Sequence, residues 1–454
     1  MPVKPEGYRE RIVDRQIERY LRLFGAVEVA GTKWCGKTWA SLAHAESVTY
    51  VDRGANLDIV TADPSFALLG ERPHVIDEWQ RVPAVWDVVR HAVDDLGGER
   101  GAWLLTGSST PCLDETSHSG AGRIGRIRMW PMSLQESGES TGKVSLKGLF
   151  EGEFEPAQCA PIQCTSGQCD SAGGGVAELA EICCRGGWPG TLGFTADDSL
   201  VVVTEYLGAL YRQTVPRMGG NPEIAERLIR ALARNLCQAA RLTTLAQDVF
   251  SRDGGAGDSG GAGSATSAPT DWEERQVSEH LGILKRAYVI DEVPGWAPAA
   301  RSPQRVRTKP KRYFADPSIP VAALGMSPRS LLADWQTFGL VFESLCMRDL
   351  AVYAHALPRP GIEPLRYYRD DSDLEVDAIV EQMDGSWGAF EIKVGMDKVD
   401  VAASNLLRLR DKLAKDRLGR TPAPAFLAVL VGVGEAAYRR LDGVYVIPVR
   451  MLGA

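Results

Sequence analysis

Residues 31–38 combine glycines, lysines and a hydroxyl group at a spacing that suits phosphate binding. They read Gly-Thr-Lys-Trp-Cys-Gly-Lys-Thr and fit the pattern GxxxxGK[ST]. In such a loop the backbone N–H groups point inward at phosphate oxygens, and glycine permits the necessary curvature. The final lysine reaches the β- and γ-phosphates, and the hydroxyl after it ligates Mg²⁺. The segment therefore predicts an ATP site formed by Gly31, Thr32, Lys33, Cys35, Gly36, Lys37 and Thr38.

A second motif supplies the carboxylates that ATP hydrolysis needs. The strand-like residues 74–76 are followed by Asp77 and Glu78. An aspartate at the end of such a strand can hold Mg²⁺, directly or through water, and the next glutamate can orient or deprotonate the attacking water. A third strand-like segment, 104–109, ends in Thr-Gly-Ser-Ser and can place a hydroxyl near the γ-phosphate.

The elements around these motifs must bring them together. Residues 26–30 are a short apolar run before the glycine loop, and 38–45 follow it with helical spacing. Further strands are predicted at 48–51, 74–76 and 103–105, with helices at 8–24 and 86–93. Strands that alternate with helices in this way predict a parallel α/β sheet.

A second set of charged residues lies in the last third of the chain, where α/β patterning returns. Helices are predicted at 338–350 and 399–413, and strands at 376–380, 389–394, 426–431 and 444–449. Residues two apart in a strand share a face, so Glu391 and Lys393 are expected to point at one site, opposite Asp377. Two carboxylates can bind Mg²⁺ and a lysine can activate water for attack on phosphate. Glu343, on the preceding helix, is the candidate for completing the metal shell.

Composition limits the class of protein. The chain has 454 residues, 44% of them hydrophobic, and a net charge of −8. This balance is typical of a globular protein and argues against one wrapped in nucleic acid, although it permits a local basic groove. No apolar run approaches the roughly 18–20 residues that span a bilayer, and no apolar signal core is present. A cytoplasmic protein without a membrane partner is expected.

The patterning divides the chain into four parts. Residues 1–136 are predicted to form the P-loop ATPase domain and 137–175 a connector of low complexity. Residues 176–310 are predicted to be helical, with a disordered loop at 251–269 that is almost pure Gly, Ser, Ala, Thr and Asp. Residues 311–454 form the predicted C-terminal α/β domain.

The order of these motifs resembles a known prokaryotic family. A helix, the P-loop, the Asp-Glu pair and Leu-Thr-Gly-Ser-Ser are followed by Gly122-Arg123 and by Pro-Met-Ser-Leu-Gln-Glu at 131–136. This order resembles AAA-type ATPases that carry a C-terminal domain of unknown function, where Pro-Leu-Ser is usual. The resemblance covers roughly residues 8–393. It implies that Arg123 is an arginine finger, with Arg126 and Arg128 as competitors, and that Ser108 occupies the sensor position.

Two further resemblances concern the rest of the chain. Helices at 224–236, 243–250 and 275–285 followed by a strand resemble a winged-helix unit. Glu343, Asp377 and the Glu391-x-Lys393 pair resemble the core of restriction-endonuclease-like folds, which implies a nuclease-like domain acting on DNA.

Two functions remain open from the sequence. In the first, ATP hydrolysis with Mg²⁺ controls a C-terminal domain that cleaves DNA. In the second, the chain is an ATP-dependent switch or scaffold that binds a protein or nucleic acid without cutting it. A small-molecule kinase is less favoured because no acceptor-binding motif is present. Because arginine fingers often act across subunit interfaces, a homo-oligomer is a further expectation.

Overall fold

The computed structural model describes residues 3–110, 120–158, 163–164, 167–168, 175–250, 268–298, 302, 304–415 and 421–454. The N-terminal part is a parallel sheet of five strands in the order β2-β3-β4-β1-β5. Its elements are α1 (Asp14–Leu23), β1 (Ala26–Gly31), α2 (Lys37–Leu42), β2 (Ser47–Tyr50), α3 (Asn56–Ala62), β3 (His74–Asp77), α4 (Ala84–Asp95), β4 (Trp103–Gly107) and β5 (Ile124–Met129).

Strand β1 lies inside this sheet, between β4 and β5. All six residues of β1 are buried because helices cover both faces. Val27 and Val29 pack with α1 and α2, whereas Ala26 packs on the α4 side. Parallel strands end at one edge, so the loop after β1 meets the residues that follow β3 and β4. The predicted parallel α/β class is confirmed for this part.

The segment after β5 differs from the predicted connector at 137–175. It contains α5 (Leu134–Ser137), β6 (Val144–Ser145), α6 (Leu146–Glu151), β7 (Ala157–Gln158), β8 (Gln163–Cys164) and β9 (Gly167–Gln168). Phe150 packs edge-on against Phe426 at 5.1 Å between ring centroids. Leu146 and Leu149 are buried, and β7 pairs with residues 436 and 437, so the residues up to 158 are attached to the C-terminal domain.

The middle of the chain is mainly helical, as expected. Its elements are α7 (Val176–Arg185), α8 (Ala196–Ala209), α9 (Val215–Arg217), α10 (Pro222–Arg234), α11 (Leu242–Phe250), α12 (Asp271–Arg286), β10 (Ile290–Val293), α13 (Gln304–Arg307), β11 (Lys311–Phe314), α14 (Ser318–Ala323) and α15 (Pro328–Ala333). Strands β10 and β11 pair antiparallel after the three helices α10–α12. The winged-helix assignment stays a prediction, and most of the predicted loop at 251–269 lies outside the described residues.

The C-terminal domain is built on a mixed sheet of seven strands in the order β12-β13-β14-β15-β17-β16-β7. Its elements are α16 (Trp335–Ala356), β12 (Pro360–Arg369), β13 (Glu375–Gln382), β14 (Trp387–Lys393), α17 (Val399–Ala414), β15 (Phe426–Val431), β16 (Ala436–Arg439), β17 (Tyr445–Pro448) and β18 (Leu452–Gly453). Strands β12, β13 and β14 are antiparallel, and β14 runs parallel to β15. Helices α16 and α17 cover its two faces.

Among the described residues, no helix has both the length and the apolar character needed to cross a membrane.

Candidate functional site

The loop between β1 and α2 has the curvature that its glycines allow. Gly36 has φ of +100°, in the left-handed region that glycine adopts freely. A Cβ on Gly31 would lie 2.2 Å from the carbonyl oxygen of Met129, so only glycine fits beside β5 at this point. Lys37 is buried, and its Nζ donates to the carbonyl oxygen of Thr32 at 2.8 Å. The ammonium group therefore lies inside the curve of the loop, where an anion would be bound.

The residues after β3 and β4 meet this loop through hydrogen bonds. The Thr38 hydroxyl donates to Asp77 Oδ1 at 2.7 Å, and the Thr106 hydroxyl donates to the same oxygen at 2.6 Å. A hydroxyl and a carboxylate are the hard oxygen donors that Mg²⁺ prefers, so this pair fits the ion that the motif implies. Thr106 is not among the predicted site residues, although it lies in the Leu-Thr-Gly-Ser-Ser segment that predicts a hydroxyl group near the γ-phosphate.

Glu78 is held in an unusual backbone conformation next to Asp77. Its φ of +57° is uncommon for a residue other than glycine. Its N–H donates to the Thr106 hydroxyl at 3.2 Å, and its Oε2 accepts from the Ser108 hydroxyl at 3.1 Å. Gln80 Nε2 donates to the same Oε2 at 2.6 Å. Ser108 and Gln80 thus fix the carboxylate, and Thr106 fixes the backbone N–H of the same residue.

Two residues outside the motif hold the loop from behind. Arg11 is buried and its Nη1 donates to the carbonyl oxygen of Cys35 at 2.8 Å. Tyr206, on α8, shares a 2.8 Å hydrogen bond with the Thr32 hydroxyl. Burial raises the pKa of Tyr206 to about 12, so its hydroxyl is neutral. Neither residue carries a local sequence signal, because each reaches the loop only through the tertiary fold.

Arg123 does not lie near the loop of its own chain. It precedes β5, at the edge of the sheet opposite to the loop, and its Nε pairs with Asp94 at 2.6 Å. Strand β1 has six residues, which at about 3.3 Å each separate the two edges by about 20 Å. Arg123 therefore lies too far from the loop of its own chain to reach it, and its role as an arginine finger across a subunit interface stays a prediction.

The two competing arginines are also engaged elsewhere. Arg126 Nε lies 3.1 Å from Glu28 Oε2, in the middle of the sheet. Arg128 is closer to the loop along β5, but its Nη2 pairs with Asp291 Oδ1 at 3.1 Å. Neither guanidinium group points at the loop of the same chain.

The predicted acidic residues of the C-terminal domain do come together. Asp377 and Glu391 face each other across β13 and β14, because Ala378 pairs with Phe390 in the antiparallel register. Lys393 Nζ lies 3.2 Å from Asp377 Oδ2 and 2.7 Å from Glu391 Oε2. The predicted shared face of the strand thus brings one lysine between two carboxylates.

A second lysine, missed from the sequence, completes this cluster. Lys311 Nζ lies 2.6 Å from Glu375 Oε1 and 3.5 Å from Glu343 Oε1. The Tyr313 hydroxyl donates to the same Glu343 oxygen at 2.8 Å. Lys311 and Tyr313 lie on β11, which reaches the cluster only because the helical part of the chain packs against α16.

Burial governs the protonation of these carboxylates. Burial, with the negative charge of Asp377 adding to it, raises the pKa of Glu391 to about 8 and that of Glu343 to about 7. Burial also acts on Asp377, but Lys393 and Lys311 outweigh it and lower the pKa of this carboxyl. Two lysines and partly protonated carboxyls make the cluster nearly neutral.

In this arrangement the C-terminal cluster does not fit a metal ion. The lysine amines occupy the positions between the carboxylates, and among the described residues no group of three or more His, Cys, Asp or Glu side chains is placed to hold a metal. The predicted ligand set of Glu343, Asp377 and Glu391 is therefore present as a charge cluster and not as a metal site.

Comparison with known families divides the chain into three. Residues 24–138 match the model of an AAA domain. Residues 176–330 match a domain of unknown function, DUF8612, and residues 338–452 match another, DUF4143.

Individual relatives are distant. An uncharacterized protein of Mycobacterium tuberculosis, Rv2008c, is 24% identical over 387 residues, which are 83% of this chain and 72% of that protein. An uncharacterized protein of Mycobacterium bovis, Mb2031c, matches to the same extent. Among solved structures, the Walker-type ATPase PABY2304 of Pyrococcus abyssi aligns with a TM-score of 0.42 and 14% identity, over 71% of this chain and 97% of that one.

The match at residues 24–138 coincides with the sheet that carries the phosphate loop, Asp77 and Glu78. The N-terminal part of the chain is therefore similar to AAA domains, which supports a P-loop ATPase fold, and the two parts that follow are similar to families without an assigned function.

Proposed function

We propose that the chain binds ATP with Mg²⁺ at residues 31–38 and hydrolyses it, and that the bound nucleotide controls a DNA-acting C-terminal domain. The observation that carries the first part is the sharing of one Asp77 oxygen by the hydroxyls of Thr38 and Thr106, with Glu78 next to it. This arrangement has the ligands for a nucleotide-bound Mg²⁺ on one side and a base on the other.

Each residue has a role that follows from its position. Lys37 exchanges its carbonyl partner, Thr32, for phosphate oxygens when ATP enters the loop. Thr38 and Asp77 provide the oxygens that would hold Mg²⁺, which supplies positive charge to the phosphate. Glu78 orients the attacking water and accepts its proton. Ser108 keeps the Glu78 carboxylate in place and responds to the presence of the phosphate.

Contacts between the loop and the rest of the chain support the control of the C-terminal domain. Thr32 is hydrogen-bonded to Tyr206, whose ring lies 5.3 Å from that of Trp188. The Trp188 indole Nε1 donates to the Ser318 hydroxyl at 2.9 Å. A movement of the loop on nucleotide binding is therefore transmitted to the start of α14 through three buried side chains.

From there the contacts continue to α16. The Ser318 N–H donates to Asp316 Oδ1 at 3.0 Å, and Arg348 Nη1 donates to Asp316 Oδ2 at 3.0 Å. Arg348 lies on α16, the helix that also carries Glu343 of the charge cluster. A shift of this helix would change the distances between Glu343 and its partner Lys311.

The topology of the C-terminal domain supports an action on DNA. Helix α16, strands β12–β14, helix α17 and strand β15 follow in the order helix, three strands, helix, strand. This order and the residues Asp377, Glu391 and Lys393 are what the resemblance to restriction-endonuclease-like folds implies. In such a site a cationic lysine next to two carboxylates stabilises the negative charge that develops on the phosphate under attack.

A second candidate is a switch that binds a protein or nucleic acid without cutting. The observation that favours it is the position of Lys393, whose amine fills the space between Asp377 and Glu391. Lysines that neutralise the charge of the carboxylates can also have a structural role, which requires no metal ion and no cleavage.

The test is DNA cleavage by the full chain with Mg²⁺ and ATP. Lys393→Ala and Lys37→Ala are compared with Lys398→Ala, a control at a lysine whose side chain is 66% exposed. We expect cleavage by the wild type and the control, and its loss in both test variants. Absence of cleavage on linear, circular and single-stranded DNA contradicts nuclease action and supports the switch.

A further inference from the structure

A large groove separates the ATPase domain from the C-terminal domain. Its volume is about 1140 Å³, with α1 on one side and the connection between α16 and β12 on the other. Met383, which follows β13, also lines it. Met383 is six residues from Asp377, about 20 Å along an extended strand, so this groove is separate from the charge cluster.

The lining of this groove is strongly basic in a chain that is acidic overall. Seven arginines and lysines line it, against two glutamates, whereas the net charge of the whole chain is −8. Low-dielectric walls that carry charge of one sign concentrate the field inside a cleft. A polyanion is therefore the occupant that this groove attracts.

Three of the arginines are exposed to such an occupant, and one of them, Arg359, also acts electrostatically on Asp384. Arg15, Arg19 and Arg359 are exposed, and within the described part of the chain none of them has a carboxylate at ion-pair distance. Arg19 only donates to the carbonyl oxygen of Pro358, at 3.1 Å. The other four cations already have partners: Arg11 with Glu136, Arg126 with Glu28, Arg128 with Asp291, and Lys147 with Glu151.

Exposed apolar side chains lie between these arginines. Ile362 is 99% exposed, Met383 75% and Leu23 51%, and all three line the groove. The backbone of a duplex offers only phosphates and sugars, whereas a single strand can also turn its bases against apolar surface. Arginines interleaved with apolar groups thus favour a single strand over a duplex.

We propose that this groove binds single-stranded nucleic acid, with Arg15, Arg19 and Arg359 on its phosphates and the three apolar side chains against its bases. The inference rests on the proposed function, to which it adds a binding surface for the nucleic acid on which the C-terminal domain acts.

The experiment measures the fluorescence anisotropy of a labelled 20-nucleotide single-stranded DNA with the full chain at several salt concentrations. The combined variant Arg15→Gln, Arg19→Gln and Arg359→Gln is compared with the combined variant Arg217→Gln, Arg329→Gln and Arg408→Gln. The second variant removes the same charge from exposed arginines outside the groove.

Each phosphate contact on a single strand contributes about 0.7 to the slope of log K against log[salt]. Losing three contacts should flatten the slope by about 2 and weaken binding at 0.1 M salt by roughly 100-fold, whereas the control variant binds like the wild type. Equal losses in both variants, absence of binding by the wild type at low salt, or tighter binding of a duplex of the same length would each overturn the proposal. The assay contains no ATP and therefore tests the groove independently of ATP hydrolysis. If the chain binds DNA in this assay but does not hydrolyse ATP, the proposed function is contradicted and the groove proposal is not.

Discussion

Replacing Arg11 by methionine tests whether the phosphate loop is held from behind by a buried ion pair. The Arg11 side chain is 4% exposed and that of Glu136 2% exposed, with 2.9 Å between Nε and Oε1. The same guanidinium group donates to the carbonyl oxygens of Cys35 at 2.8 Å and Trp130 at 3.0 Å. Burial alone would lower the pKa of Arg11, but the carboxylate of Glu136 raises it, so the group is charged.

The magnitude follows from what the variant leaves behind. Methionine fills much of the space, but Glu136 becomes a buried carboxylate without a cation. Removing one partner of a buried pair costs about 3–5 kcal/mol, mostly because the remaining charge is not compensated. The backbone N–H groups of Ile12 and Ser133 still donate to Glu136, at 2.9 and 2.8 Å, which favours the lower end of this range. We expect the free energy of unfolding to fall by about 3 kcal/mol.

The assay is urea denaturation followed by tryptophan fluorescence. Arg9→Met is the control, since Arg9 is an exposed neighbour that makes one long contact of 3.4 Å. The double variant Arg11→Met, Glu136→Gln should recover part of the loss because its remaining partner is neutral. A loss below about 1 kcal/mol for Arg11→Met, or equal losses in the single and double variants, would refute the ion-pair reasoning.

Three further predictions follow from the same geometry. Glu78→Gln should bind ATP but hydrolyse it about 10²–10⁴-fold more slowly, as phosphate release will show; an unchanged rate removes Glu78 as the base. Tyr206→Phe should lower the free energy of unfolding by about 1 kcal/mol because Thr32 loses its partner, whereas Tyr211→Phe, whose hydroxyl has no hydrogen-bond partner in the described part of the chain, should not. Burial lowers the pKa of His355, so its stabilising contribution is present above the unfolded pKa of about 6.5 and is lost as the pH falls through the lower folded value. When the pH falls from 7.5 to 5.5, the free energy of unfolding of His355→Leu should therefore decrease by up to about 1.4 kcal/mol less than that of the wild type. Identical decreases in the two proteins would contradict the lowered pKa of His355.

The phosphate site could be predicted because its chemistry is local. A loop that follows a strand and precedes a helix needs glycine, lysine and a hydroxyl at fixed positions, and the structure places Gly31, Lys37 and Thr38 accordingly. The contact between Thr38 and Asp77 follows once β1, which leads into the loop, and β3, which ends at Asp77, lie in one parallel sheet. The common face of Glu391 and Lys393 could likewise be predicted, since strand periodicity alone sets it.

The site residues that were not predicted from the sequence are brought to the site by parts of the chain that are distant in sequence. Arg11 and Tyr206 contact the loop only after α1 and α8 have packed, and nothing in their neighbouring residues distinguishes them. Strand β5 was missed because Gly125 and Arg126 interrupt its apolar pattern, and the role expected of Arg123 depended on the position of that strand. Lys311 joins the C-terminal cluster from a separate two-stranded sheet, which no local spacing predicts.

ATP binding by the wild type and by Lys37→Ala tests the central claim most directly. A charged hydrogen bond contributes about 1.5–3 kcal/mol, so loss of the Lys37 ammonium group should weaken binding by about 10- to 160-fold. Lys398→Ala, at an exposed lysine outside the ATP site, is the matched control and should bind ATP within a few-fold of the wild type. Tight binding by the wild type and the control with weak binding by Lys37→Ala supports the assignment of the site. Equal affinity of all three proteins for ATP would contradict it.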